Sequence, residues 1–210
     1  MHRGLPERAR AGPDLGTTSV AQMRVVAGAL RGRKLVTPDG LSVRPTAERV
    51  RQATFNALEH RGAVRDARVV DLFAGSGALG IEALSRGAAH VVFVEQDKAA
   101  LACIRQNLEH VGLTAQATIV RSDVSRWVHG GSPAGAVDLL FADPPYTFEG
   151  WSDLLSSVHA GLLRDDPDAV GIAVLETPGP IAPGPAWDIL RQQRYGGTVV
   201  TLSIPVAPLR

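Results

Sequence analysis

From residue 68 onward, short apolar runs alternate with glycine-bearing turns and with stretches of helical periodicity. Val69–Phe73, Val91–Glu95, Ala117–Arg121, Val137–Ala142 and Val170–Glu176 are short and largely apolar, the pattern of strands buried on both faces. Between them Ala78–Arg86 and Trp151–Leu163 read as helices. A further helix runs from an Asp97 cap to Gly112, with Leu101, Ile104, Leu108 and Val111 as its buried stripe. Strands that alternate with helices imply a parallel sheet joined by right-handed crossovers. Pro178 to Pro185 is a loop. Trp187–Gln193 and Thr198–Ile204, either side of Tyr195-Gly196-Gly197, read as a closing antiparallel pair. The fold class is therefore α/β.

The segment upstream has a different texture. Arg24–Ala29 and Arg33–Thr37 read as two short strands of a hairpin joined at Leu30-Arg31-Gly32. Thr46 reads as the N-cap of a helix through Glu59, with Val50, Thr54 and Leu58 as a stripe that Ala53, Phe55 and Ala57 widen. Residues 1–22 are rich in Gly, Pro, Arg and Ala without periodicity, which predicts a disordered extension. Met23, at the head of the first patterned segment, is a candidate start. The expected division is thus an extension at 1–22, an N-terminal hairpin and helix at 23–60, and a sheet domain at 61–210.

Charge changes this picture more than bulk composition does. The 210 residues, 45% hydrophobic and 20% charged, suit one soluble domain with an appendage. No run approaches the roughly 18 apolar residues of a membrane span, and the N-terminus lacks a secretory pattern. One cysteine, Cys103, excludes an intrachain disulfide and fits a reducing compartment, so the cytoplasm is expected. The net charge of +1 hides an asymmetry. Arg24, Arg31, Arg33, Lys34, Arg44, Arg49 and Arg51 face only Asp39 and Glu48 over residues 24–51, a balance of +5; the remainder to Arg210 carries −5. Such a basic block is an electrostatic footprint for a phosphate backbone.

The candidate chemistry sits where strands end. Asp143-Pro144-Pro145-Tyr146 stops the fourth strand abruptly, because two prolines cannot continue a ladder. It leaves a carboxylate, a stiff turn with free carbonyls and a ring at the carboxyl edge, where open α/β sheets place ligands. These acceptors beside a flat ring suit a planar base with an exocyclic amino group. Gly75, Gly77 and Gly80 match a G-x-G-x-x-G spacing after the first strand, and Glu95 ends the next strand 20 positions after Gly75. A carboxylate there suits both hydroxyls of a ribose. Asp71 would sit badly beside a pyrophosphate but well beside a cationic amino-acid group. A cofactor that is part adenosine and part cationic amino acid is S-adenosylmethionine. Asp123 is placed to accept from an adenine amino group, to cap the helix from Val124 to Val128, or both. No metal is suggested: His60, His90, His110, His129 and His159 are scattered. Cys103 lies inside a helix, which argues against ring-carbon methylation. Phe148 and Trp151 read either as an extension of the base platform or as core.

These motifs together resemble the class I S-adenosylmethionine-dependent methyltransferases that act on exocyclic amino groups. Arg24-Val-Val-Ala-Gly-Ala-Leu-Arg-Gly-Arg-Lys-Leu35 and Arg44-Pro-Thr-Ala-Glu-Arg-Val-Arg-Gln-Ala-Thr-Phe-Asn56 further resemble the N-terminal signature of the bacterial 16S ribosomal RNA guanine-N2 methyltransferases of the RsmD type. The resemblance implies a Rossmann-like, seven-stranded, mostly parallel sheet with helices on both faces. It also implies methylation of the N2 amino group of a guanine, at position 966 in that family, within a small-subunit assembly intermediate. A monomer is expected for want of an exposed apolar stripe in the sequence. On this reading the cofactor lies against Asp71, Ala74, Gly75, Ser76, Gly77, Glu95, Gln96, Asp123 and Val124. Asp143, Pro144, Pro145 and Tyr146 hold the base, and the basic segment at 23–60 grips RNA and covers the cofactor. The motifs leave open a DNA adenine-N6 methyltransferase, for which no target-recognition insert follows Tyr146. A non-catalytic RNA-binding module and an NAD-dependent oxidoreductase fit the retained motifs less well.

Overall fold

The central strands of this chain are apolar on both faces, so they must be covered on both, and the structure does this with two helical layers. The computed structural model describes residues 23–38, 45–130, 136–166 and 169–206. The expected extension at 1–22 and Arg44 lie outside them. Helix α1 (Pro45–Glu59) leads into β1 (Arg68–Leu72), α2 (Ala78–Ser85), β2 (His90–Glu95), α3 (Lys98–Val111), β3 (Ala117–Arg121), α4 (Val124–His129), β4 (Leu139–Ala142) and α5 (Trp151–His159). Two-residue strands β5 (Asp165–Asp166) and β6 (Ala169–Val170) form a separate ribbon. Strands β7 (Ile172–Thr177), β8 (Trp187–Tyr195) and β9 (Thr198–Pro205) complete the main sheet.

The main sheet has seven strands in the order β3-β2-β1-β4-β7-β9-β8. The first five are parallel to one another, while β9 runs antiparallel to both β7 and β8. The chain builds outward from β1 to β3, then returns to place β4 on the other flank of β1. The crevice at that reversal is where such sheets bind ligands.

Alternation along the strands sorts the core into two layers. Val69, Val91, Phe93, Leu139, Phe141 and Val174 pack with Phe55 and Leu58 of α1, Ile81 of α2 and Ile104 and Leu108 of α3. Val70, Leu72, Val92, Val94, Leu140 and Leu175 pack with Val124 and Trp127 of α4 and Leu154, Leu155 and Val158 of α5. Asp71, Asp143 and Glu176 continue the alternation of the first layer at the carboxyl ends of their strands. Trp151 joins the second layer, which settles its place as packing.

Four expectations change. The N-terminal hairpin reduces to one isolated bridge, Arg24 to Lys34. The amides of Val26 and Ala27 bond the Glu82 carboxylate at 2.8 and 2.9 Å, and those of Ala29 and Leu30 bond Ser85 of α2, so they are not available for a ladder. Gly28, at φ +81°, makes this approach possible, since an added Cβ would lie 2.0 Å from the Ser85 carbonyl oxygen. Helix α5 stops at His159 rather than Leu163, because Leu163 forms a parallel bridge with Val137, which itself leaves β4. Strand β7 begins at Ile172, since Val170 pairs with β5 instead. Helix α1 starts one residue before the expected cap at Thr46.

Candidate active site

Five strands end in one place. The reversal of strand order brings Asp123 after β3, Glu95 on β2, the glycine turn after β1, Asp143 after β4 and Glu176 on β7 to a single cavity of about 940 Å³. The cavity is open to solvent. Its walls include Asp71, Ala74, Gly75, Ser76, Glu95, Gln96, Asp123, Val124, Asp143, Pro144, Pro145 and Tyr146. Every residue expected to hold cofactor or base is therefore present except Gly77. That glycine stands behind the wall: an added Cβ would come within 3.3 Å of Phe93 and Ile104, and φ +78° makes it the left-handed N-cap of α2.

The glycine turn is held by side chains from neighbouring strands. Asp71 is 1% exposed, and its Oδ2 accepts from Gly80 N–H at 2.9 Å, which ties the strand end to the first turn of α2. The Gly80 position has no room for a side chain, because a Cβ would stand 2.3 Å from the Phe93 ring. Phe73 at φ +57° and Gly75 at φ +54° carry the chain round the corner. A left-handed phenylalanine is rare and costs on the order of 1–3 kcal/mol, a strain typical of functional loops. Asn107 of α3, fully buried, donates to the Ser76 carbonyl at 3.0 Å and pairs with the Val36 backbone through both amide atoms.

Glu95 braces the same turn. Its Oε2 accepts from Gly75 N–H, and its Oε1 accepts from the amides of Gln96 and Asp97. Three of the roughly four acceptor sites of a carboxylate are thus engaged by backbone. Asp123 accepts from Arg126 N–H as the N-cap of α4, which leaves its second oxygen for a ligand.

On the other flank, Pro145 C=O accepts from Phe148 N–H at 2.8 Å, a tight turn that projects Tyr146 outward. Tyr146 is 56% exposed, and its hydroxyl lies 3.1 Å from Thr198 Oγ1 on the tip of the β8–β9 hairpin. Phe148 bridges Phe73 and Trp151 through edge contacts at 5.1 and 5.4 Å. Thr198 and Tyr195 also line the cavity, and nothing in their sequence context marks them. Glu176 is legible by the rule that picks out Glu95, an acid ending a strand at the carboxyl edge, and is an addition to the expected set.

The acids shape the electrostatics. Burial pushes the Asp71 carboxyl up to about 8; the Gly80 bond opposes this, and the charges of Asp143 and Glu95 add to it. Desolvation also pushes Asp143 and Glu176 upward, with Asp143 adding at Glu176 against the pull of Arg51. Asp143 is exposed at its strand end whereas Glu176 is half-buried, so the upward push on Asp143 is the smaller. A carboxyl raised in the folded state holds its proton after the unfolded chain has released it, so stability falls as pH rises. Between about pH 4 and pH 8 the ligand-free protein is expected to lose thermal stability, and Asp71→Asn, which keeps the acceptor for Gly80, is expected to flatten that slope. A thermal melt series across pH checks this; an unchanged slope in the variant contradicts it.

The basic segment divides. Arg24, Arg31, Arg33, Lys34 and Arg49 are exposed. Arg51 differs: it is 4% exposed, lines the cavity, reaches the Arg24 carbonyl through Nη2 and sits 3.5 Å from Glu82. Its expected place among the surface RNA contacts is thus corrected, because two buried acceptors from other segments draw it inward. Among the described residues no group of His, Cys, Asp and Glu could hold a metal ion, and no helix is long and apolar enough to cross a membrane.

Residues 23–204 match the model of the family described as conserved hypothetical protein 95. YlbH of Bacillus subtilis is 36% identical over 186 residues, covering 86% of this chain and 97% of that one. The ribosomal RNA small subunit methyltransferase D of Haemophilus influenzae is 31% identical over 180 residues, covering 83% and 90%. Among solved structures, the Escherichia coli protein yhhF superposes with a TM-score of 0.76 at 31% identity, over 89% of this chain and 99% of that one. The glycine turn and the Asp-Pro-Pro-Tyr turn thus face one cavity in a chain that belongs to the conserved hypothetical protein 95 family, the RsmD-type methyltransferases of class I fold.

Proposed function

We propose that this methyltransferase uses S-adenosylmethionine to methylate the N2 amino group of a guanine in 16S ribosomal RNA, on an assembling small subunit. The observation that carries the reading is the shared cavity, lined by both Gly75 after β1 and Asp143 after the neighbouring strand β4. The relative from Haemophilus influenzae, named for small-subunit ribosomal RNA, supports the substrate class.

The residues present fit the cofactor. Asp71 suits its cationic amino-acid end, Glu95 the ribose, and Asp123 with Val124 the adenine. When bound, S-adenosylmethionine supplies an electrophilic methyl group. The chain's own residues do the rest. A guanine N2 lone pair is delocalised into the ring and is a poor nucleophile. The Asp143 carboxylate and the Pro144 carbonyl accept the amino hydrogens, which turns the lone pair out of conjugation. They also stand ready for the positive charge that develops on nitrogen. Held upward of the usual carboxylate range, Asp143 is suited to take the proton that the amino group loses near neutral pH. Tyr146 stacks on the base once it leaves its helix or loop. The turn at Pro144-Pro145 keeps these groups stiff, and positioning is the larger part of the gain.

The test is transfer of labelled methyl from S-adenosylmethionine to parallel samples of ribosomal RNA, assembled small subunits and duplex DNA, followed by nucleoside digestion. Label in N2-methylguanosine is the expected result. Label in DNA adenine, or cofactor binding without transfer to any sample, would overturn the proposal.

Exposed Arg31, Arg33 and Lys34 lie on the segment that Asn107 fastens to the glycine turn. Replacing all three with alanine is expected to weaken RNA binding and to reduce the slope of log K against log salt by about 0.7 for each single-strand phosphate that the variant no longer neutralises. A slope equal to that of the unmodified protein removes the assignment.

A further inference from the structure

Glu176 is the one acid of the cavity's strand ends that the proposed reaction leaves without a role. It follows Leu175 on β7, and Leu175 pairs with Ala142, so Glu176 stands beside Asp143 on the adjacent strand. Both belong to the layer of Phe141 and Val174, and both line the cavity. Among the described residues, neither carboxyl receives a hydrogen bond from the protein. The cation acting on Glu176 is Arg51, whose guanidinium is already directed to Glu82 and the Arg24 carbonyl.

Two neighbouring carboxyls without donors are costly in a partly desolvated cleft, and what relieves that cost is a ligand rich in donors. Their place along the sheet fits such a ligand. Asp123, Glu95 and the glycine turn occupy the β3–β2–β1 half of the rim, which leaves the β4–β7 half to the methyl acceptor. The Watson–Crick edge of guanine presents N1–H and the N2 amino hydrogens side by side. Adenine presents an acceptor at N1 instead.

We propose that Glu176 is a specificity-determining residue that accepts the guanine N1–H while Asp143 accepts a hydrogen of the adjacent N2 amino group. This rests on guanine N2 being the acceptor. Burial pushes the Glu176 carboxyl upward, and a donor edge in contact with it favours the carboxylate. A base with an acceptor at N1 would meet a carboxylate lone pair and be rejected.

The test uses the RNA or particle that accepts label, carrying at the target nucleotide either guanosine or 2-aminopurine riboside. The latter keeps the N2 amino group but has an acceptor at N1. The wild-type enzyme is expected to favour guanosine in kcat/KM by about 10- to 100-fold, the range of one charge-assisted hydrogen bond. Glu176→Gln, whose amide can donate to an N1 acceptor, is expected to bring that ratio to within about threefold, with S-adenosylmethionine affinity unchanged. Glu176→Ala, which cannot donate, is expected to lower guanosine turnover without any gain on 2-aminopurine. Guanosine methylation with a wild-type ratio retained in Glu176→Gln overturns this inference alone. A wild-type preference for 2-aminopurine, meaning that Glu176 stays protonated and donates, overturns it too. Absence of label in any guanine amino group overturns the parent reading and this inference together.

Discussion

Asp143→Ala is expected to lower kcat by about 10²- to 10³-fold, the range seen when one preorganised polar group is removed from developing charge. It should leave S-adenosylmethionine binding nearly intact. The two effects separate because of where Asp143 lies. It belongs to the β4 flank of the cavity, whereas the glycine turn, Glu95 and Asp123 belong to β1, β2 and the turn after β3. The variant should also stay folded. Asp143 receives no hydrogen bond from the described residues, and its charge raises the proton affinity of both Asp71 and Glu176. Removing it relieves like-charge repulsion rather than breaking a pair. Asp143→Asn keeps one acceptor and the shape but places an amide donor near the amino group, so it should fall between wild type and alanine. Single-turnover methyl transfer with equilibrium cofactor titration measures both quantities. Turnover at the wild-type rate in Asp143→Ala would remove the carboxylate from the mechanism.

Glu82→Ala is expected to produce the largest loss of stability, about 3–5 kcal/mol, because it strips the partner from buried charge. Glu82 is 1% exposed. It accepts from Arg86 Nε at 2.8 Å, from the amides of Val26 and Ala27 at 2.8 and 2.9 Å, and faces Arg51 Nε at 3.5 Å. Arg86 keeps a second partner in Glu59 at 2.8 Å and rests over the Phe55 ring at 5.0 Å. Arg51 has less to fall back on: without Glu82 its nearest formal counter-charges are Glu48 and Glu176 at the cavity wall. The same substitution loosens the segment at residues 23–37 on α2, since the amides of Val26 and Ala27 lose their acceptor while Ala29 and Leu30 keep Ser85. Urea unfolding is expected to show a lower midpoint with an unchanged slope, and hydrogen exchange should show early deprotection at Val26 and Ala27. An unfolding free energy within about 1 kcal/mol of wild type would mean that the buried arginines find other partners and would overturn this prediction.

These two outcomes probe different levels of what the chain encodes. The glycine turn, the Asp-Pro-Pro-Tyr turn and the acids at 95 and 123 are readable because their cause is local. Proline cannot continue a strand, and a corner such as Gly77 at φ +78° excludes most side chains. The N-terminal segment misleads for the opposite reason. Its alternation and turn residues suit a ladder, but its amides meet Glu82 and Ser85 from 55 or 56 positions away, and those acceptors win. Arg51 looks like any other arginine of a basic block until α2 supplies Glu82 beneath it.

By itself, then, the order of residues determined, from residue 68 onward, which segments are strands and helices, how they alternate, and which chemical groups stand at the strand ends, because hydrophobic period, glycine and proline act over a few neighbouring residues. Only the tertiary structure decided which of those ends meet. The reversal of strand order between β1 and β4 places Glu95 and Asp143, far apart in the chain, on one cavity and sets Glu176 beside Asp143. It also decided which charges are buried, since a charged side chain is tolerated inside only where distant segments deliver its partners.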